Sequence, residues 1–241
     1  MWGRIYEGEV SYSYSKISTF NSCPYKFKLK YVDKLESPFE DSVIFEKGRF
    51  IHALLEFYPT IPDFEFKFPE VESKKNEYIS LVKSLYKSNR ILNKLLDPSV
   101  ALYREKQFYL DTNLKEISTK ESSFLNGIID YVGRVNDTLL LVDWKTGKTQ
   151  SHASLDQLKF YALWAFNNLD INQIKCSLFF LEQNDIKSEI LTRADLPDLE
   201  SLYKSKINTI ETETRFEKKR SKSCEYCPFI KECQRINLRR N

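Results

Sequence analysis

The sequence has no run approaching the ~20 consecutive apolar residues that a membrane-spanning helix requires. Its first residues, MWGRIYEGEV, lack a signal-peptide pattern. Both absences point to a cytoplasmic protein, in a reducing compartment where its five cysteines are not expected to pair as disulfides. An excess of one charge is missing too. The formal net charge is +3, so no global basic field marks a nucleic-acid binder. Any such surface must be local, as at Lys26, Lys28 and Lys30 or in the run EKKRSK from Glu217 to Lys222. Runs of this kind also occur as ordinary solvated faces. No internal repeat and no low-complexity linker interrupts the chain. What is present is a globular composition. The 241 residues are 41% hydrophobic and 14% aromatic, enough for a substantial core in one domain with appendages.

Apolar spacing divides the chain into a mainly helical part (1–98), a core (99–190) and a C-terminal helix with a cysteine-rich tail (191–241). From Ser15, SKISTFNSCPYKFKLKYV mixes aromatic and basic residues at helical spacing. Ser15 or Ser18 is the expected cap, and Pro24 argues against one unbroken helix. VIFEKGRFIHALLEFY reads as an amphipathic helix ending before Pro59, and a further helix is expected over Lys75 to Leu95. The period then changes. ALYREKQFYL, SFLNGIIDYVGRV and TLLLVDWK read as strands, the last two joined by a turn at Asn136–Asp137. SLDQLKFYALWAF is a helix opened by Ser154, IKCSLFFLEQ a buried strand, and ADLPDLESLYKSKINTIE a last helix. Helices, three strands, helix, strand and helix in that order predict an α/β (α+β) fold with a mixed sheet and a helical N-terminal part.

LLLVDWKTGKTQ holds the first chemical signal. A period of two places Asp143 and Lys145 on one face of the strand and Trp144 on the other. Burying that pair costs several kcal/mol unless each charge has a partner, so it is either a structural ion pair or a site. Counting back from the turn sets Asp130 opposite Asp143. Two like charges facing each other are destabilising unless something neutralises them. A divalent cation with hard oxygen ligands, magnesium or manganese, does this well. The GKT in this stretch is not a phosphate-binding loop: the required glycine five positions before Gly147 is replaced by Val142.

The cysteines are unevenly placed. Cys224, Cys227 and Cys233 form a C-x2-C-x5-C group, and Cys23 shares its Cys-Pro context and polar surroundings. Cys176, within IKCSLFFL, reads as a small buried hydrophobe. Four thiolates suit tetrahedral zinc and an iron–sulfur cluster equally well.

These residues resemble the RecB-like branch of the PD-(D/E)XK nucleases. GIID (Gly127–Asp130), DWKTGK (Asp143–Lys148) and QLKFY (Gln157–Tyr161) are similar to its successive motifs, and GRFIH (Gly48–His52) to its G-x-x-x-H motif. One early and three late cysteines resemble its iron–sulfur members, among them the AddB nuclease domain and CRISPR-associated adaptation exonucleases. Each motif alone is weak, but five in the right order over nearly the whole chain are specific. The resemblance implies a single RecB-like nuclease domain, 1–241, with a restriction-endonuclease-like core. In it His52, Asp130, Asp143 and the Trp144 carbonyl would bind magnesium or manganese. Lys145 would orient or help deprotonate the attacking water, and Gln157 and Tyr161, one helical turn apart, would steady it and the substrate. Glu105 matches an acidic residue on the first core strand. Cys23, Cys224, Cys227 and Cys233 would hold a 4Fe–4S cluster of structural role, with structural zinc as the alternative.

The implied activity is hydrolysis of DNA phosphodiester bonds, as an exonuclease on single-stranded ends. YSYSKISTFNSCPYKFKLKY interleaves aromatic and basic residues that would suit such a strand. The alternatives are a non-catalytic nucleic-acid-binding or scaffold subunit of a recombination or CRISPR-adaptation complex, and a zinc-stabilised structure-specific endonuclease.

Overall fold

The computed structural model describes residues 11–36, 42–147 and 153–238. Helices α1 (Tyr14–Ser22) and α2 (Pro24–Phe27) and a π-helical turn (Lys28–Val32) come first. They are followed by α3 (Val43–Glu56), α4 (Pro69–Glu72), α5 (Lys75–Ser88) and α6 (Arg90–Leu96). The sheet then forms from β1 (Ala101–Leu110), β2 (Leu125–Val135), β3 (Thr138–Lys145), β4 (Gln173–Phe180) and β5 (Asp185–Thr192). Helix α7 (Asp156–Asn168) joins β3 to β4, and α8 (Leu196–Glu211) and α9 (Ile230–Leu238) complete the described chain.

The strands lie in sequence order, antiparallel except for β3 and β4, which run parallel. A parallel step needs a long crossover, and α7 supplies it. Both faces of the sheet are covered. Phe108, Leu141, Trp164 and Tyr203 pack between one face and α7 and α8, while Phe50, Leu54, Val82, Trp144 and Phe179 pack between the other face and α3 and α5. The restriction-endonuclease-like expectation, a mixed sheet flanked by helices, is met.

Local chemistry explains where single elements differ from expectation. Ser13, not Ser15 or Ser18, caps α1, its Oγ accepting the Lys16 N–H at 3.4 Å. Pro24 does break the helix, at Cys23, and opens α2. The helix expected over Lys75 to Leu95 is two helices. Asn89 interrupts it, its Oδ1 accepting the N–H groups of Ile91 and Leu92 at 2.8 and 2.9 Å, an N-cap that competes with helix continuation. Ser154 accepts the Asp156 N–H at 3.1 Å, although Leu155 occupies the cap position of α7. The strand β5 was not expected. It is a largely exposed edge strand, DIKSEILT, whose charged residues mask any alternation while protecting the edge from pairing with other chains.

The described N-terminal helices and the cysteine-rich tail meet beside the sheet. Tyr12 bonds to β2, with its N–H donating to Phe124 O at 2.7 Å and its C=O accepting from Asn126 at 2.9 Å. Phe27 stacks on Phe216 with ring centroids 6.4 Å apart, and the Tyr25 N–H donates to Glu217 O at 3.3 Å. This brings Cys23 against the cysteine-rich tail.

Candidate active site

The site forms where β1 and β2 lose their regular alternation. Ile129 packs beneath α7, Tyr131 on the α3 face, and Val132 beneath α7 again. On β1, Lys106 lies over the Trp164 ring of α7, whereas Arg104 reaches the opposite layer and donates to Glu56 O, Tyr58 O and Leu96 O. The face switch is centred on Glu105 and Asp130. Glu105 has φ 52° within a strand, a left-handed conformation that costs a non-glycine residue of order 1–3 kcal/mol. Both carboxylates are thereby aimed at the sheet end where β3 finishes.

The expected hairpin register holds from Val135–Thr138 to Tyr131–Val142. One position further, the Asp130 side chain replaces the ladder, its Oδ2 accepting the Trp144 N–H at 2.8 Å. His52 arrives from α3, and its Nε2 bonds Trp144 O at 3.0 Å. A carbonyl only accepts, so Nε2 carries the proton and Nδ1 is left facing Asp130 Oδ2 at 3.5 Å and Glu105 Oε1 at 3.7 Å. Ligand atoms of His52, Glu105 and Asp130 all lie within 4.8 Å of one another. A lone pair on Nδ1 aimed at two carboxylates is repulsive unless a proton or a cation sits between them. The donor set of one imidazole and two carboxylates fits a divalent metal.

Asp143 stands beside this group. Its side chain is 6% exposed, and its Oδ2 lies 2.5 Å from Lys145 Nζ. The two readings of Asp-x-Lys are thus both present, an ion pair at the edge of a carboxylate cluster. Gln157 Nε2 donates to Tyr161 Oη at 2.8 Å, as their helical spacing suggested. Gly127 provides the space for this pair: a Cβ there would lie 2.7 Å from Phe108 and from Tyr161 ring carbons. Lys148 and His152 lie outside the described residues. Arg49, Glu56 and Thr146, unexpected from the sequence, line the same groove as His52 and Glu105. Helical spacing from His52 would have found the first two.

Electrostatics agrees with an awaited cation. Burial, then the neighbouring Asp143, pushes the Asp130 carboxyl up to about 7. For His52, burial acts downward, but Glu105, Asp130 and Asp143 outweigh it and the imidazole is raised. Both groups hold protons more tightly when folded, so their contribution to stability is full at low pH. Asp130's contribution falls as pH rises through about 7, and that of His52 falls as pH passes its raised value. Metal-free protein is therefore expected to lose melting temperature as pH rises from about 4 to about 7, with added manganese restoring more of it the higher the pH. Melting curves with EDTA and with manganese check this, and a manganese effect that shrinks with rising pH would contradict it.

The four cysteines expected to act together line one cavity, with Lys218, Lys219 and Arg220 around it. Cys23 Sγ accepts the Lys219 N–H at 3.5 Å and Cys224 Sγ the Ser221 N–H at 3.4 Å. Cys233 is raised by burial and by the other three thiols, which places all four in one electrostatic neighbourhood. Cys176 is buried in the core, as expected.

A fold with a metal-fitting carboxylate cluster and an adjacent lysine at the end of a mixed sheet defines a class of phosphodiester-cleaving proteins. The family model of the PD-(D/E)XK nuclease superfamily matches residues 11–234. The chain belongs to that superfamily of metal-dependent nucleases. No curated protein matches it. Among solved structures it is similar to "Crystal structure of SSO0001", at 14% identity and a TM-score of 0.35 over 81% of this chain and 98% of that one. Among the described residues no helix is long and apolar enough to cross a membrane.

Proposed function

We propose that the protein is a cytoplasmic, metal-dependent DNA exonuclease that acts on single-stranded ends and carries a 4Fe–4S cluster. The observation that carries the nuclease reading is the convergence of His52, Glu105 and Asp130 within 4.8 Å beside the Asp143–Lys145 pair. Magnesium or manganese held by those three, with Asp143 and the Trp144 carbonyl adjacent, would activate water and neutralise phosphate charge. The protein's own groups do the rest. Asp143 holds the Lys145 ammonium on one side and leaves its other N–H bonds for the attacking water or a phosphate oxygen. Tyr161 is raised by burial and by three nearby carboxylates, so its hydroxyl stays protonated. Because Gln157 donates to its oxygen, that hydroxyl has its own proton to offer the substrate.

The cluster reading is supported by Cys23, Cys224, Cys227 and Cys233 lining one cavity; four thiolates there suit a 4Fe–4S cluster, with structural zinc as the alternative.

Matched linear and circular single-stranded DNA test the end requirement. Manganese-dependent loss of the linear form with the circle intact is expected. Equal cleavage of the circle would make the protein an endonuclease, and cleavage of neither would favour a non-catalytic nucleic-acid-binding subunit.

A further inference from the structure

The first turn of α3 is anomalous. Val43, Ile44 and Phe45 are 40%, 79% and 58% exposed, while the same helix buries Phe50, Ile51, Leu54 and Leu55 against the core. Three adjacent apolar side chains in water do nothing for folding and mark a contact surface. The surface is continuous with the site: Ile44, Phe45 and Arg49 line the same groove as His52, Glu105 and Ile128.

Helical geometry sets the order within the groove. Phe45, Arg49, His52 and Glu56 follow at spacings of four, three and four, so they share one face of α3. Phe45 and His52 are seven residues apart, about 10 Å along the axis. That is about three stacked nucleotide steps. A strand whose phosphate lies at His52 therefore has a cation, Arg49, beside its next phosphates and an exposed aromatic ring beneath the bases beyond them.

From this juxtaposition we infer that Phe45, with Ile44 beside it, is the stacking platform for the strand entering the catalytic groove and selects unpaired nucleotides. The inference rests on the nuclease reading above. A base held in a duplex has its faces covered by its neighbours, whereas an unpaired base can lay one face on an aromatic ring. Phe45 thus acts on substrate binding and specificity, not on the chemical step.

The test compares wild type, Phe45→Ala and Phe45→Trp on end-labelled single strands, intact or carrying one abasic nucleotide at successive positions from the cleaved end. Binding is measured in parallel with magnesium present, each substitution placed in a Lys145→Ala background so that the DNA survives. Phe45→Ala is expected to raise KM and Kd on intact strands by roughly 5- to 100-fold with a smaller change in kcat, and Phe45→Trp to restore both. An abasic nucleotide at one position within about three steps of the cleaved end should cost wild type the same factor and Phe45→Ala nothing further. Wild-type behaviour of Phe45→Ala would overturn the inference, as would an equal extra loss from the abasic position in both proteins. A wild type that binds single strands but never cleaves them would instead overturn the nuclease reading, and the binding cycle would still decide the role of Phe45.

Discussion

Lys145→Ala is expected to lower manganese-dependent DNA hydrolysis by about 10³-fold while leaving manganese binding in place. The size follows from removing a positioned charge at the reacting phosphate, an effect of about 10²–10³ for a single preorganised donor, with the loss of assistance to the attacking water added to it. The separation of binding from rate follows from geometry. Lys145 contacts Asp143, whereas the metal-fitting group is His52, Glu105 and Asp130. The variant also takes the ion-pair partner from a buried Asp143, so some loss of stability is expected. Calorimetry of manganese binding beside single-turnover cleavage checks both halves. A variant that cleaves within a few-fold of wild type would remove Lys145 from the chemistry.

Cys227→Ala is expected to have the largest effect on stability. Cys23 and Cys224 are 201 positions apart (224 − 23), so a cluster joining them closes a loop around the whole sheet. In the chain-entropy account a cross-link of that span is worth about 5 kcal/mol, or a melting temperature lower by roughly 10–20 °C for a protein of this size. The variant should purify without iron or visible colour and melt early. Its α1 and α2 segment should become more open to protease, because without a cluster only non-covalent contacts, among them the Phe27–Phe216 stack, the Tyr25–Glu217 bond and the Lys219–Asn21 bond, would hold it to the tail. Iron analysis, the visible spectrum and thermal melts decide it. A colourless variant as stable as the wild type would remove the cluster from the structural account.

Much of this was legible in the residues, and the rest was hidden for physical reasons. The core strands were readable because their apolar runs are long and sharply bounded, and Asn136–Asp137 set the β2–β3 register correctly as far as Tyr131–Val142. The edge strand β5 was not, since a strand buried on so little of its surface carries no apolar signature. The break at Asn89 was missed because a side chain capping two N–H groups overrides a helical pattern that continues on both sides.

At the site, His52 and Asp130 both bond Trp144, through its carbonyl and its N–H, whereas Asp143, expected beside them, pairs with Lys145. This pairing was not foreseeable. Period-two reasoning puts Asp130 and Asp143 on one face as equals, but the left-handed turn at Glu105 and the face switch at Asp130 bring Glu105 into the His52 group and leave Asp143 to Lys145. A positive φ in a strand leaves no trace in composition. Phe45 was passed over because VIF reads as ordinary helix packing until its exposure is known.

The most direct test of the account is manganese binding by Asp130→Asn, an isosteric change, beside wild type. Asparagine can still accept the Trp144 N–H, so the fold should hold. It cannot carry the charge that draws a cation to His52 and Glu105. Manganese binding should weaken by at least 100-fold and DNA cleavage should vanish with it, with no fall in the melting temperature of the metal-free protein. Unchanged manganese affinity, or cleavage at the wild-type rate, would mean that the metal is held elsewhere.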